Sequence, residues 1–296
     1  MINGVADVTP AVLAAMANTP DARLREITKS FISHIHAFAR EVELTEEEYE
    51  VGINFLNRIG KATSEHHNEG VLIADVIGLS TLVCLLNNGN AGATETTAAL
   101  LGPFWRINAP SIRNGGSIVR SSTPGAALFV KGRVKDINGN PIANVDVDVW
   151  QASPKGLYEN QDQDQADMNL RGKLVTNAEG IFEFRSVMPD GYPVPTDGPA
   201  GDLLRAQRRH PYRPAHIHFL LFKPKFKTLI TQVFVNDDPY LETDAVFGVT
   251  AALIGTYRKH DSGEPPAADI TAPWHTLEYD FTMEPGFAKL PTPPIK

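Results

Sequence analysis

Apolar residues recur at helical spacing through about the first hundred positions and at strand spacing after them. Leu24, Ile27, Phe31, Ile35 and Phe38 form one stripe, and Thr19-Pro20 offers an N-cap followed by proline at the first helical position. Thr45-Glu46-Glu47-Glu48 reads as a capping box opening a helix that carries Tyr49, Ile53, Leu56 and Ile59, with Gly60 as its stop. A third helix is expected from about Val71 to Leu86, closed by Asn87-Asn88-Gly89. It is apolar nearly all round, so it belongs between other elements or at a subunit contact. Asp75 interrupts it, either as a carboxylate paired with nearby backbone or as a residue facing a pocket. Local pairing is the commoner fate of a buried polar group.

The pattern changes at Gly102-Pro103-Phe104-Trp105. Val130–Val134 and Val145–Val149 flank Asn138-Gly139, a hairpin signal, and the second run places valines inward and Asp146 and Asp148 outward. Leu174-Val175-Thr176 and Ile181–Phe184 suggest another hairpin through Asn177-Ala178-Glu179-Gly180. Further strands are expected at His216–Phe222, Leu229–Val235 and Leu277–Phe281, with a proline-rich tail from Pro285 lying over the surface. The expected fold is α+β: a helical region over 1–104, then an antiparallel β-sandwich over 105–296 with functional residues in its loops.

Arg213-Pro214-Ala215-His216-Ile217-His218-Phe219 carries the chemistry. Ala215 to Phe222 is apolar apart from two histidines, as in a largely buried strand. Alternate side chains share a face, so His216 and His218 project together, close enough to share a metal ion. A pair of core histidines with satisfied hydrogen bonds gives the same pattern, so the remaining ligands must come from elsewhere.

Composition narrows the classes. Of 296 residues, 42% are apolar and 21% charged, which belongs to a soluble globular protein, and a net charge of -8 argues against nucleic acid. The longest apolar runs are far shorter than a membrane span, and the N-terminus has no basic leader. Cys84 is the single cysteine, so no internal disulfide forms, and a cytoplasmic location follows. It sits in the apolar run Leu82–Leu86 and reads as a buried structural thiol. The loops hold Gly156-Leu157-Tyr158 and Met188–Pro195, the latter with Tyr192. Two tyrosines with two histidines would make a hard site suited to ferric iron. Physics alone does not select these two from the 7 tyrosines present.

Tyr158, Tyr192, Arg213, His216, His218 and Gln232 stand in the order and spacing of the intradiol ring-cleaving dioxygenases, which the chain resembles. The phrases GPFW, DVW, MPDGYPVP, DGP, RPAHIHF and TLITQVFV are similar too, and the likeness covers most of the chain, including the helical part of the catechol and hydroxyquinol branches. The resemblance implies non-haem Fe(III) held by Tyr158, Tyr192, His216 and His218. It implies an aromatic ortho-diol bound to that iron and cleaved by O2 between its two hydroxyl-bearing carbons. Tyr192 would accept a proton, Arg213 would stabilise negative charge on the ring, and Gln232 would hydrogen-bond beside it. The implied pocket is lined by Leu72, Asp75, Gly102, Pro103, Phe104, Pro193 and Val194. An acidic residue at the place of Asp75 is similar to the hydroxyquinol and chlorocatechol branches, which points to hydroxyquinol, with catechol as the alternative. The resemblance also implies a homodimer through the helical part, with phospholipid as a candidate guest at the interface. A β-sandwich binding module without catalysis is the competing class, and it should have lost at least one of the four ligands.

Overall fold

The computed structural model describes residues 1–65, 67–88 and 95–295. The chain forms two compact units, Met1–Asn57 and Arg58–Lys296. Helices α1 (Val5–Ala15), α2 (Ala22–Glu41) and α3 (Glu46–Ala62) come first. The capping box at α3 forms as the sequence indicates: Glu48 N–H donates to Thr45 Oγ1 at 3.2 Å, and Thr45 N–H to Glu48 Oε2 at 3.0 Å. The cap of α2 differs from expectation. Asp21 accepts from Leu24 N–H at 2.9 Å, while the Thr19 hydroxyl donates back to Met16 O at 2.8 Å. A carboxylate two residues on simply offers the better acceptor. The stripe from Leu24 to Phe38 is exposed in this chain, as are Tyr49, Ile53 and Leu56.

The expected single helix from Val71 to Leu86 is two helices, α4 (Glu69–Val76) and α5 (Leu79–Asn88), bent by 79°. Gly78 at the break has φ +75°, the left-handed conformation that ends a helix. Apolar residues run straight through the bend, so periodicity alone reads it as one rod. Asn87 and Asn88 turn their amides back onto Val83 O and Cys84 O, each at 2.8 Å, and Gly89 lies outside the described residues. Only α4 buries side chains, among them Leu72, Asp75 and Val76, while Leu79, Leu82, Val83 and Leu86 of α5 stay exposed. Cys84 is half-buried rather than buried.

The strands are β1 (Gly116–Ser117), β2 (Ala127–Asp136), β3 (Asp146–Gln151), β4 (Arg171–Val175), β5 (Ile181–Val187), β6 (Tyr192–Pro193), β7 (Tyr212–Arg213) and β8 (His216–Phe222). Then follow β9 (Leu229–Val235), β10 (Ile254–Gly255), β11 (Tyr257–His260) and β12 (Trp274–Met283), and α6 (Pro199–Ala206) sits between β6 and β7. One sheet runs β1-β5-β2-β12-β11 and the other β10-β9-β8-β3-β4, with β6-β7 as a separate ribbon. The sheets are mixed rather than purely antiparallel: β12 lies parallel to β2, β1 to β5 and β10 to β9. None of these pairs is joined by a tight turn, so nothing forces the strands to run opposite ways.

The Asn138-Gly139 turn closes only a short antiparallel bridge between Lys135 and Pro141, and the longer strands flanking each expected hairpin do not pair with each other. β2 pairs with β5 and β12, whereas β3 pairs with β4 and β8, so the Asn138-Gly139 turn carries the chain from one sheet to the other. The Asn177–Gly180 turn does the same between β4 and β5. Local turn chemistry sets a reversal, but each strand takes the partner that buries its apolar face. Val130, Phe182, Phe184, Leu277 and Phe281 of one sheet meet Val147, Val149, Ile217, Phe219 and Val233 of the other. Full burial of such a side chain contributes roughly 1.5–3 kcal/mol.

Candidate metal centre

The outer face of the second sheet carries the site. On β8, Ile217, Phe219 and Leu221 point into the core, so His216 and His218 point the other way. The register aligns Arg171, Trp150, His218 and Gln232 as one row across β4, β3, β8 and β9. The Trp150 ring stacks on His218 at 4.6 Å and 9°, fixing the imidazole plane. Asp148, expected outward, does face away from the core, but it is buried there and accepts from Trp105 Nε1 at 3.2 Å. Phe104, Trp105 and Ile295 of the tail roof the face over, which is why a sandwich surface is not a wet one here. Burial pushes the Asp148 carboxyl up to about 6, with the Trp105 bond opposing.

Two loops bring the tyrosines in. Tyr158 follows β3, its backbone N–H held by Gln161 Oε1 at 3.0 Å and its ring stacked on Phe104 at 4.4 Å. Tyr192 begins the β6-β7 ribbon, where it pairs directly with Arg213. Tyr158 Oη lies 3.1 Å from His218 Nε2 and 3.4 Å from Tyr192 Oη, and the two histidine Nε2 atoms are 3.1 Å apart. All four residues are buried.

The donor set fits a cation. His216 Nδ1 lies 2.7 Å from Pro214 O, so that nitrogen donates and the Nε2 lone pair faces the pocket. Burial, then the Arg213 charge, pushes the His216 imidazole down to about 3; burial and neighbouring His216 hold His218 well below its ordinary range. Both imidazoles are therefore neutral, as ligands must be. Buried His218 Nδ1 has no partner, while His218 Nε2 faces inward among the other donors, 3.1 Å from both Tyr158 Oη and His216 Nε2. Burial and neighbouring Tyr192 push the Tyr158 phenol well up, so its phenolate needs a strong positive charge beside it. Two phenol oxygens and two imidazoles suit a hard trivalent ion. Among the described residues no group of three or more His, Cys, Asp or Glu could hold a metal, so tyrosine is what completes this set.

Arg213 is buried beside it. Nη1 lies 3.3 Å from His216 Nε2, Nη2 donates to Gln232 Oε1 at 2.9 Å, and Asp244 grips the guanidinium through both carboxylate oxygens at 3.1 Å. Burial opposes the Arg213 charge, but Asp244 more than offsets it; burial likewise opposes the Asp244 charge, and Arg213 holds that carboxyl below its ordinary range. Gln232 Nε2 donates onward to Leu100 O at 2.6 Å. Asp244 and the Arg171–Glu159 pair beneath Tyr158 carried no sequence signal of a role, and Trp150 carried one only as part of the DVW phrase. Each acts through a partner distant in the chain or across the sheet.

Of the expected wall, Leu72 and Val194 share a buried cluster with Leu100 and Val246. Asp75 is buried too, and its carboxyl is pushed up to about 6 by burial, with Ser80 and the Arg213 charge opposing and the Asp244 charge adding. Gly102 has φ +74° and packs so closely that a β-carbon would lie 3.3 Å from His218 Cε1. Phe104 covers Tyr158, Pro103 is half-buried, and Pro193 is exposed, outside the buried clusters.

Residues 100–285 match the family model described as Dioxygenase, and 21–95 match Catechol dioxygenase N terminus. The chain belongs to the intradiol ring-cleavage dioxygenases. This family uses non-haem iron. The chain is 39% identical to a 6-chlorohydroxyquinol 1,2-dioxygenase of Cupriavidus pinatubonensis, over 94% of this chain and 97% of that one. It is 38% identical to a catechol 1,2-dioxygenase of Candida albicans, over 93% and 91%. Among solved structures, hydroxyquinol 1,2-dioxygenase from Pseudomonas putida DLL-E4 superposes with a TM-score of 0.86 at 37% identity, covering 95% of this chain and 99% of that one.

Proposed function

We propose that this family member cleaves hydroxyquinol (benzene-1,2,4-triol) with O2 between its two ortho hydroxyl-bearing carbons, giving maleylacetate. Non-haem Fe(III) would be held by Tyr158, Tyr192, His216 and His218. The observation that carries the reading is their convergence in one buried site, with Arg213 against His216 and Asp75 near enough to feel Arg213 and Asp244. Bound iron supplies the Lewis acidity and electron transfer that let an electron-rich diolate ring meet O2. Tyr192 Oη, at the edge of the donor set, takes up one proton of the incoming diol. Arg213 Nη1 faces the negative charge that develops on the ring. Phe104, stacked on Tyr158, excludes water from that side.

Asp75 sets the choice of substrate. A carboxylate in the wall accepts a hydrogen bond from a third ring hydroxyl. Facing plain catechol, the carboxylate keeps its Ser80 bond but loses the one from the ring, at about 1–3 kcal/mol, which corresponds to roughly 5- to 150-fold in kcat/KM. The relatives named as hydroxyquinol dioxygenases support this reading. The similarity to the Candida albicans enzyme favours a second one, catechol cleavage to cis,cis-muconate. Oxygen-uptake rates on the two diols decide between them, with non-enzymatic oxidation of the triol subtracted. A preference for the triol that shrinks in Asp75→Ala supports the first reading; a preference for catechol overturns it. The exposed apolar stripes of α2, α3 and α5 are the basis for a homodimer through residues before about Gly102, with phospholipid as a guest at that contact.

A further inference from the structure

Asp244 is a buried carboxylate with all its hydrogen bonds committed. Oδ1 accepts from Arg213 Nε at 3.1 Å and Val246 N at 3.2 Å, and Oδ2 accepts from Arg213 Nη2 at 3.1 Å and Gly248 N at 3.0 Å. Its own loop is pinned on two sides. Arg209 bridges Ala245 O at 2.8 Å to Val76 O, the end of α4, at 2.7 Å, and Ala245 N–H donates to Tyr212 O at 3.0 Å. The loop also fits closely: a β-carbon on Gly248 would lie 2.9 Å from Arg213 Nη2 and 3.2 Å from Asp244 Oδ2.

The consequence is geometric. Asp244 occupies Nε and Nη2 of Arg213, Gln232 shares Nη2, and Nη1 is the nitrogen aimed at His216 Nε2. A planar guanidinium gripped along one edge cannot rotate. We infer that Asp244 is a positioning residue for ring cleavage: it fixes the Arg213 plane so that Nη1 faces the reacting ring. It also prevents Arg213 from swinging to pair with the tyrosine oxygens, which would stabilise the resting site rather than the transition state. The side-chain hydrogen bonds of Asp244 go to Arg213 and to its own loop, so its positioning action passes through Arg213. The inference rests on the proposed ring cleavage, and it is tested by comparing variants of an enzyme whose unaltered form turns over.

The comparison is a double-mutant cycle on iron-loaded protein with hydroxyquinol and catechol. Asp244→Asn keeps the volume and one acceptor. Iron per chain, the visible tyrosinate-to-iron absorption and anaerobic diol affinity should stay near those of the unaltered protein, while kcat falls at least tenfold and KM moves less than about threefold. In an Arg213→Ala background the same substitution should change kcat less than twofold. Loss of iron or colour in step with kcat, additive losses across the cycle, or an unchanged kcat would each overturn the inference. Should Asp244→Asn not fold, Arg213→Ala/Asp244→Ala removes both buried charges together and leaves neither unpaired. It should match Arg213→Ala in kcat, and a pair at least tenfold slower would refute action through Arg213. Failure of the unaltered, iron-loaded protein to consume O2 with either diol would instead sink the proposed function.

Discussion

Asp75→Asn should make the fold more stable and the enzyme less selective, and the size of the first effect follows from the structure. Burial raises the Asp75 carboxyl from the ordinary 3.8 to about 6. A shift of roughly two units at 1.36 kcal/mol each means that the ionised side chain costs the fold about 3 kcal/mol. The sign is fixed by proton binding. The folded chain holds this proton more tightly than the unfolded one, so Asp75 costs nothing below about pH 4. Its cost grows as pH rises toward 6 and is constant above that. An uncharged asparagine lacks this slope and can still hydrogen-bond Ser80. Urea unfolding of the iron-free variant should therefore show a stability gain that widens by about 1.4 kcal/mol between pH 5 and pH 8. The same variant should lose its preference for the triol over catechol, a trade of selectivity for stability. A gain independent of pH, or a loss of stability at pH 8, would show that Asp75 is ionised without cost and that burial does not govern it.

Other outcomes follow from the same geometry. Tyr158→Phe and His218→Ala should each lose iron, visible colour and turnover together, read by metal analysis and absorption; full activity in Tyr158→Phe would remove it from the ligand set. Gly132→Ala places a β-carbon 2.1 Å from the Phe182 ring in the core, and should lower stability by about 1–3 kcal/mol in urea unfolding with no change at the metal site. Equilibrium sedimentation at micromolar concentration should show a dimer, and Leu82→Lys with Leu86→Lys on the exposed face of α5 should shift it toward monomer.

Much of the site was legible because its parts are local. Period-two alternation on β8 put His216 and His218 on one face, and burial of Ile217 and Phe219 in the core shows why that face is the outer one. The capping box at Thr45 and Glu48 needs only four residues and forms as read. What failed was pairing. Asn138-Gly139 and Asn177–Gly180 do reverse the chain, but whether the next strand joins the same sheet depends on partners far along the sequence. Alternation put Asp148 outward, as it is, but could not foresee that a roof of Phe104, Trp105 and Ile295 buries that face. The helix break at Gly78 was hidden by unbroken apolar character on both sides.

The sequence by itself determined the residue types that chemistry requires, the face that β8 gives its histidines, and the family to which the motifs belong. These are properties of spacing and of side-chain chemistry, which need no fold to be read. Tertiary structure alone decided which tyrosine oxygens meet which imidazoles, since Tyr158 and His218 are sixty positions apart in the chain and 3.1 Å apart in space. It decided that Asp244 grips Arg213, and that Asp75 and Asp148 are buried enough to resist ionisation. The physical reason is that hydrogen bonding and desolvation depend on distance and on what covers a group, and both are set by strands brought together from across the whole chain.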